Sequence, residues 1–506
     1  MGLGILEDHH LSDVPGTVLL ADEGHPSSET NLQHGNGSDT HTILSPQPSD
    51  NVNDPLNWPM WKKEVNIIIL CLGAMLNAGT NGTLLNASYY AIASDLHTPL
   101  TSVVLVSGYN LLAAGCSGPF VCALSRQYGK RPVFLASTLL AIIGTAIGET
   151  KMGYKFLLAA RIIQGFSTSA FESLVIASVG DTYFVHQRGL RVAVINFILN
   201  AASSLSSIIA GQVYQNLGYS WLFHLFQIFL VIQFVAMFLF CPETTFTRNT
   251  GVVEDVQVEA DLDQGDKETS THEEMCTYPN DDRPQMSHGG FAAKKTYIQE
   301  LSVFNGARSG QGFFKSLVGL LLPLLNPAAC YVILTSGILN SWYVGSAIIL
   351  SGVFSGSPWY YSAAQVGYLG VGPFVGGMIG STVVACFSDS SIKYMVRLDR
   401  GIYEPELRLI FMPVAGVAST VGMFLFGYTM SIGANAILCS FLQGLMMFGV
   451  VVGIFSTLSY ALDAFKSQAN EIFIMNMVFK ARTQSNEILP HSRWLIIFRR
   501  TSCFMD

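Results

Sequence analysis

Ten mainly apolar runs, separated by short polar connections, leave this chain few folds to choose from. They cover residues 65–91, 103–124, 133–148, 156–179, 192–214, 221–240, 328–354, 362–387, 409–430 and 434–462. Most reach the roughly 20 residues that a helix needs to cross the hydrocarbon of a bilayer. Backbone polar groups find no water in that layer, so each run must satisfy its own hydrogen bonds as a helix. The chain is 50% hydrophobic and only 12% charged, with a mean hydropathy of +0.40. A water-soluble fold would have no interior large enough for these runs. The expectation is an all-α membrane protein.

The runs fall into six, a gap, then four. The stretch 1–60 holds Glu7, Asp8, Asp13, Asp22, Glu23, Glu29, Asp39, Asp50 and Asp54 and no Lys or Arg. An acidic tail so rich in Pro, Ser and Asn reads as disordered, and its lack of a basic-then-apolar pattern leaves targeting to the first span. The gap is polar and acid-rich, and 241–327 is expected to be a linker that ends in an interfacial helix over 312–325, broken by Pro323. The expected division is therefore a tail (1–60), a six-helix bundle (61–240), the linker (241–327), a second bundle (328–480) and a remnant (481–506). Residues 469–480 begin an eleventh helix, but the remnant holds only the short apolar run 494–498. The second bundle is thus expected to be incomplete, with about ten full spans in all, and the tail from Ala481 to come from truncation or mis-splicing.

Connections that carry Lys62, Lys63, Arg126, Lys130, Arg131, Arg188, Arg191, Lys393, Arg397, Arg400 and Arg408 fall on one side; Lys151 and Lys155 fall on the other. Basic loops stay inside, which places the N-terminus in the cytoplasm, and a plasma-membrane location is expected. The nine cysteines contain no C-x-x-C pair and read as packing residues.

Within the fourth run, Arg161, Gln164 and Glu172 interrupt the apolar pattern. Eleven residues at 100° each return to nearly the same face, so Arg161 and Glu172 can look into one interior about 16 Å apart along the axis. Either they line a water-accessible path, or Arg161 snorkels to the interface and Glu172 caps a neighbouring element. Other polar residues inside spans are Asn77 and Asn81, Asn110, Asn196 and Asn200, Asn340, Trp342, Tyr343 and Gln443. Together with Gln164 they are candidates for a substrate cavity, in which a single carboxylate among amides and aromatics suits an organic cation. Amides at this spacing equally serve as hydrogen-bond glue between helices.

A faint internal repeat sets Gln164-Gly165 before Asp181 against Gln443-Gly444 before Asp463, as two halves of one plan would. Asp54-Pro55-Leu56-Asn57-Trp58-Pro59 precedes the first span, and Leu124-Ser125-Arg126-Gln127-Tyr128-Gly129-Lys130-Arg131-Pro132 joins the second and third. Arg161-Ile162-Ile163-Gln164-Gly165, Gly180-Asp181, Arg188-Gly189 and Pro242-Glu243-Thr244-Thr245 come after them in order. On these motifs the chain resembles the major facilitator superfamily, in its fungal drug:proton antiporter-like branch.

The resemblance implies two six-helix bundles, here with the second incomplete, rocking about a central cavity. It implies a cytoplasmic gate of Arg126, Gly129, Lys130, Arg131, Asp181, Arg188 and Asp463, with Asp181 meeting Arg131 or Arg126. Arg126 stands where the signature carries an acid. Ser203, Ser204, Ser206, Ser207, Ala210 and Gly211 replace the Gly-Pro pattern of the antiporter helix.

No phosphate-binding loop, metal-ligand spacing or catalytic constellation is found, so no enzyme, metal or cofactor is expected. An ion gradient remains as the energy source, and Glu172 is the acid well inside a span, with Arg161 to tune it. The expected function is proton-coupled transport of small organic molecules, as drug or metabolite efflux. Uptake of a cationic nutrient such as a polyamine, and an inactive or sensing product, stay open. The expected partners are a small-molecule substrate, protons and the lipid bilayer, with no nucleic acid, and the chain is expected to act as a monomer.

Overall fold

A computed structural model describes residues 18–19, 51–150, 153–246, 296–302, 317, 319–356, 359–398, 402–403, 405–433, 435–465, 468–469 and 471–484. The acidic tail, most of the central linker, most of the interfacial helix and the stretch after 484 lie outside these residues.

All ten expected spans are helical and apolar enough to cross a membrane. They are α1 (Met60–Asp95), α2 (Leu100–Tyr128), α3 (Lys130–Glu149), α4 (Tyr154–Thr182), α5 (Val185–Leu217) and α6 (Tyr219–Phe240), then α7 (Pro327–Phe354), α8 (Ala363–Ser388), α9 (Pro405–Ser431) and α10 (Ala436–Ala464). Residues 471–484 continue as α11. Several helices overshoot the apolar runs, as α1 does at Lys62, which pairs with Glu300, and Lys63, whose Nζ donates to the Leu56 carbonyl at 2.9 Å. Of the interfacial stretch, Leu322–Leu325 forms one 3-10 turn at Pro323 that leaves Leu321, Leu322 and Leu325 exposed before α7 begins.

Within the first bundle helices turn back through very short connections, so neighbours are antiparallel. Between α5 and α6 the reversal is Gly218 alone, at φ +85, a conformation that a Cβ would strain. Ends alternate accordingly: α2 and α4 finish, and α3 begins, at the end bearing Arg126, Lys130 and Arg131, the basic end.

Each bundle is built around its most buried helix, α4 in the first and α10 in the second. Small residues let these helices approach their neighbours to backbone contact. A Cβ on Gly165 of α4 would strike the Asn110 carbonyl of α2, and one on Gly444 of α10 would lie 2.5 Å from the Gly372 carbonyl of α8. At the basic end Asp181 of α4 pairs with Lys130 of α3 at 2.7 Å, and Asp463 of α10 pairs with Arg408 of α9 at 2.7 Å. The faint sequence repeat is thus a repeat of contacts: the fourth helix of each half packs on the second and pairs with the start of the third.

The bundles meet along two seams. On one, Gly211 and Gly367 bring α5 and α8 together: a Cβ at Gly211 would lie 2.5 Å from the Ala363 carbonyl, and one at Gly367 2.8 Å from that of Ser207. On the other, α11 lies against α2, with Ala481 at Gly115 and Ile474 at Gly118.

Candidate functional site

Between the two seams is a cavity of about 210 Å³. Its wall draws on both bundles: Asn110 and Ser107 of α2, Thr168 and Glu172 of α4, Asn196, Asn200 and Ser203 of α5, Asn340 and Tyr343 of α7, Gln443 of α10, and Asn476, Lys480 and Gln484 of α11. Of the sequence candidates, Glu172, Asn110, Asn196, Asn200, Asn340, Tyr343 and Gln443 are on this wall.

The others are not. Asn77, Asn81, Gln164 and Arg161 are buried inside the first bundle, and the cause is local. Residues Met75–Thr80 of α1 form a π-helical turn, which displaces the regular backbone bonding. Side chains of α4 take up the carbonyls of this region: Thr168 Oγ1 donates to the Asn77 carbonyl at 3.1 Å, and Arg161 Nη1 to that of Asn81 at 2.6 Å. Asn81 Nδ2 returns bonds to the Gln164 carbonyl and to Thr168 Oγ1, Gln164 Nε2 donates to Thr145 Oγ1, and Asn77 Nδ2 donates to the Gly73 carbonyl. The polar row on α1 and α4 is therefore interhelical glue around a buried Arg161, whose guanidinium also lies 6.0 Å from the Phe223 ring centroid. Arg161 and Glu172 do not share the cavity. Trp342 corrects a further expectation: it is 46% exposed, one residue and about 100° round the helix from the inward-facing Tyr343.

Glu172 is ion-paired across the bundles with Lys480 of α11. The two side chains are 24% and 21% exposed, so both face the cavity's solvent. Asn110 is 2% exposed, and neither its amide nitrogen nor its amide oxygen has a partner among the described residues. The remaining amides are tied down: Asn196 Nδ2 to the Val192 carbonyl, Asn200 Nδ2 to that of Asn196, Gln443 Nε2 to Ser346 Oγ.

At the basic end the gate candidates separate by job. Arg126 reaches across to α11 and pairs with Glu471, which is 2% exposed. Asp181 binds Lys130, where Arg131 or Arg126 was expected. Arg188 caps the end of α4, with Nη2 on the Gly180 carbonyl at 2.7 Å and Nε on that of Tyr183 at 3.0 Å. Arg131 Nη2 donates to the Phe238 carbonyl at 2.8 Å, holding the end of α6. Glu243, from the Pro-Glu-Thr-Thr motif, accepts the backbone N–H groups of Lys130 and Arg131 at 3.0 Å each. A carboxylate there satisfies donors that the first turn of α3 leaves open and meets the positive end of its dipole. Gly129, at φ +96, makes room: a Cβ on it would collide with the Glu243 carboxylate. Asp463 is held by Arg408.

Three residues with contacts at these places escaped the sequence reading. Lys480 and Glu471 sit on α11, which reads as merely the start of a helix, and Glu243 sits in a motif that reads only as a family likeness. The signal available for the first two was a charge at each end of an apolar ten-residue stretch.

Comparison with known proteins agrees with this geometry. The family described as Major Facilitator Superfamily matches residues 70–479. An uncharacterized MFS-type transporter, C1271.10c, of Schizosaccharomyces pombe is 24% identical over 83% of this chain and 76% of its own length. Protein HOL1 of Saccharomyces cerevisiae is 24% identical over 83% of this chain and 78% of its own. Among solved structures, the xylose transporter XylE from E. coli, in a partially occluded inward-open conformation, superposes with a TM-score of 0.52 at 12% identity. The match covers 85% of this chain and 95% of that one.

Proposed function

The chain belongs to the major facilitator superfamily, and on that premise we propose that it exchanges small organic molecules for protons through the central cavity, with Glu172 as the coupling group. The observation that carries this is the place of Glu172: it is the one carboxylate among the cavity's described lining residues, and its partner Lys480 belongs to the opposite bundle. Glu172 is only partly exposed inside the cavity, so when the bundles part and Lys480 withdraws, a proton or a cationic solute is favoured in its place. That preference is what couples solute to proton. Each proton crossing 100 mV supplies about 2.3 kcal/mol to the cycle.

Arg126–Glu471, at the basic end, and Lys480–Glu172, nine residues further along α11 and thus roughly 14 Å deeper, close the path from that end. The close approach of α5 and α8 at Gly211 and Gly367 closes it from the other. The excess of Lys and Arg assigns the basic end to the cytoplasm, and efflux then means loading from that side.

The test is flux in proteoliposomes under an imposed pH gradient, with a panel of labelled organic cations and drugs. Gradient-driven flux in the native chain that is lost in Glu172→Gln supports the reading. Flux independent of the gradient, or indifferent to that substitution, defeats it. Reversing the gradient separates efflux from uptake.

A further inference from the structure

The pairing of Glu172 with Lys480 places a primary ammonium, on a flexible stem, against the carboxylate of the cavity. Lys480 Nζ has the chemistry of an alkylammonium ligand already seated, and a compact ammonium donates several hydrogen bonds to a carboxylate, which a quaternary nitrogen cannot. A second, independent observation lies on α2. Asn110 is buried on the cavity wall with both amide atoms unmet among the described residues, whereas the other named wall amides each have at least one atom bonded, Gln484 through its nitrogen alone. Leaving a buried donor and acceptor both unpaired is unfavourable unless a ligand or water meets them.

The spacing between the two follows from α4. Gly165 packs on the backbone carbonyl of Asn110, and Glu172 is seven residues further along the same helix. At 1.5 Å per residue the charged and neutral points are roughly 10 Å apart along the axis.

We propose that Lys480 is a tethered competitor for the substrate's charged group, so that the cavity selects slender primary ammonium compounds with a neutral hydrogen-bonding group roughly 10 Å from the charge. This deepens, and rests on, the reading of the cavity as the substrate site. The incoming ammonium displaces Lys480 from Glu172 while the neutral group engages Asn110. Because Lys480 is on α11 and Glu172 on α4, displacement also unfastens the second bundle from the first. Affinity in the native chain is reduced by the fraction of time Lys480 occupies the carboxylate.

The experiment is binding to the full chain in nanodiscs, without any gradient, using aminohexanol, hexylammonium, hexanoate and hexanol as probes. The native chain should bind aminohexanol more tightly than hexylammonium, and the anion and neutral alcohol least. Lys480→Gln should tighten hexylammonium about tenfold, as expected when a competitor is removed. Asn110→Leu should bring aminohexanol down to the affinity of hexylammonium, and Glu172→Gln should lose both. Lys480→Arg, whose guanidinium meets the carboxylate with two donors and so competes more strongly, should weaken hexylammonium instead of tightening it, the opposite sign to Lys480→Gln. Equal hexylammonium affinity in native and Lys480→Gln protein overturns the proposal. So does preferred binding of hexanoate that vanishes in Lys480→Gln, which would make Lys480 an anion site. Retained ammonium binding with no gradient-driven flux defeats the coupling reading alone; retained flux with affinities indifferent to Lys480 defeats this inference alone.

Discussion

Cys241 shows how far a single side chain here is governed by its surroundings. It lies just past α6, donates to Asn66 Oδ1 at 2.6 Å and is 4% exposed. Burial pushes its thiol from the ordinary 9.0 up to about 12; Arg131 opposes the rise and Glu243 adds to it. The neutral thiol is the form the fold favours, so this contribution to stability is intact below pH 9.0 and is lost as pH climbs from there to about 12. Thiolate, not thiol, is the nucleophile. N-ethylmaleimide should therefore leave Cys241 unmodified at neutral pH in the folded protein and label it readily once detergent has unfolded the chain, as peptide mass spectrometry would read. Equal labelling in both states would contradict the burial. Nothing in the local sequence marks this cysteine apart from the other eight, because its environment is assembled from α1, α3 and α6.

At the scale of elements, α11 is the least conspicuous helix in the sequence and does the most joining. Glu471 and Lys480 carry opposite charges on one helix and meet opposite charges on α2 and α4. Arg126, which departs from the acidic residue of the signature it resembles, has a matching acid in Glu471. Arg126→Glu should set like charges against each other around a nearly inaccessible carboxylate, with a loss on the order of 1–3 kcal/mol, since the arginine end of the pair is partly screened by solvent. The double variant Arg126→Glu with Glu471→Arg should recover most of it. Melting temperatures of the two variants decide this, and a double variant no better than the single one would show that the pair does not act as a unit.

At the scale of the whole molecule, two bundles of one plan meet along two seams beside a shared cavity. The α5–α8 seam depends on the absence of side chains: Gly367 allows the Ser207 carbonyl to approach. Gly367→Leu should wedge this seam open and favour the conformation exposed at the end opposite the basic loops. A cysteine placed at Ser207, on the cavity wall, should then react faster with an impermeant thiol reagent added from that side. An unchanged rate would mean that the seam is not the closure.

The sequence alone determined the ten spans, their grouping into six and four, the antiparallel threading and the internal repeat. These follow from hydrocarbon, in which an apolar run has no alternative to a self-satisfied helix. It also picked Glu172 as the acid within a span. It could not sort the polar residues of α1 and α4, because a π-helical turn, invisible in composition, drew Asn77, Asn81, Gln164 and Arg161 into one bundle's interior while leaving Asn110 on the cavity wall. Nor could it pair Glu172 with Lys480, 308 positions away. Helical periodicity fixes which residues share a face; what that face meets is set by the packing of other helices, and only the tertiary structure decides it.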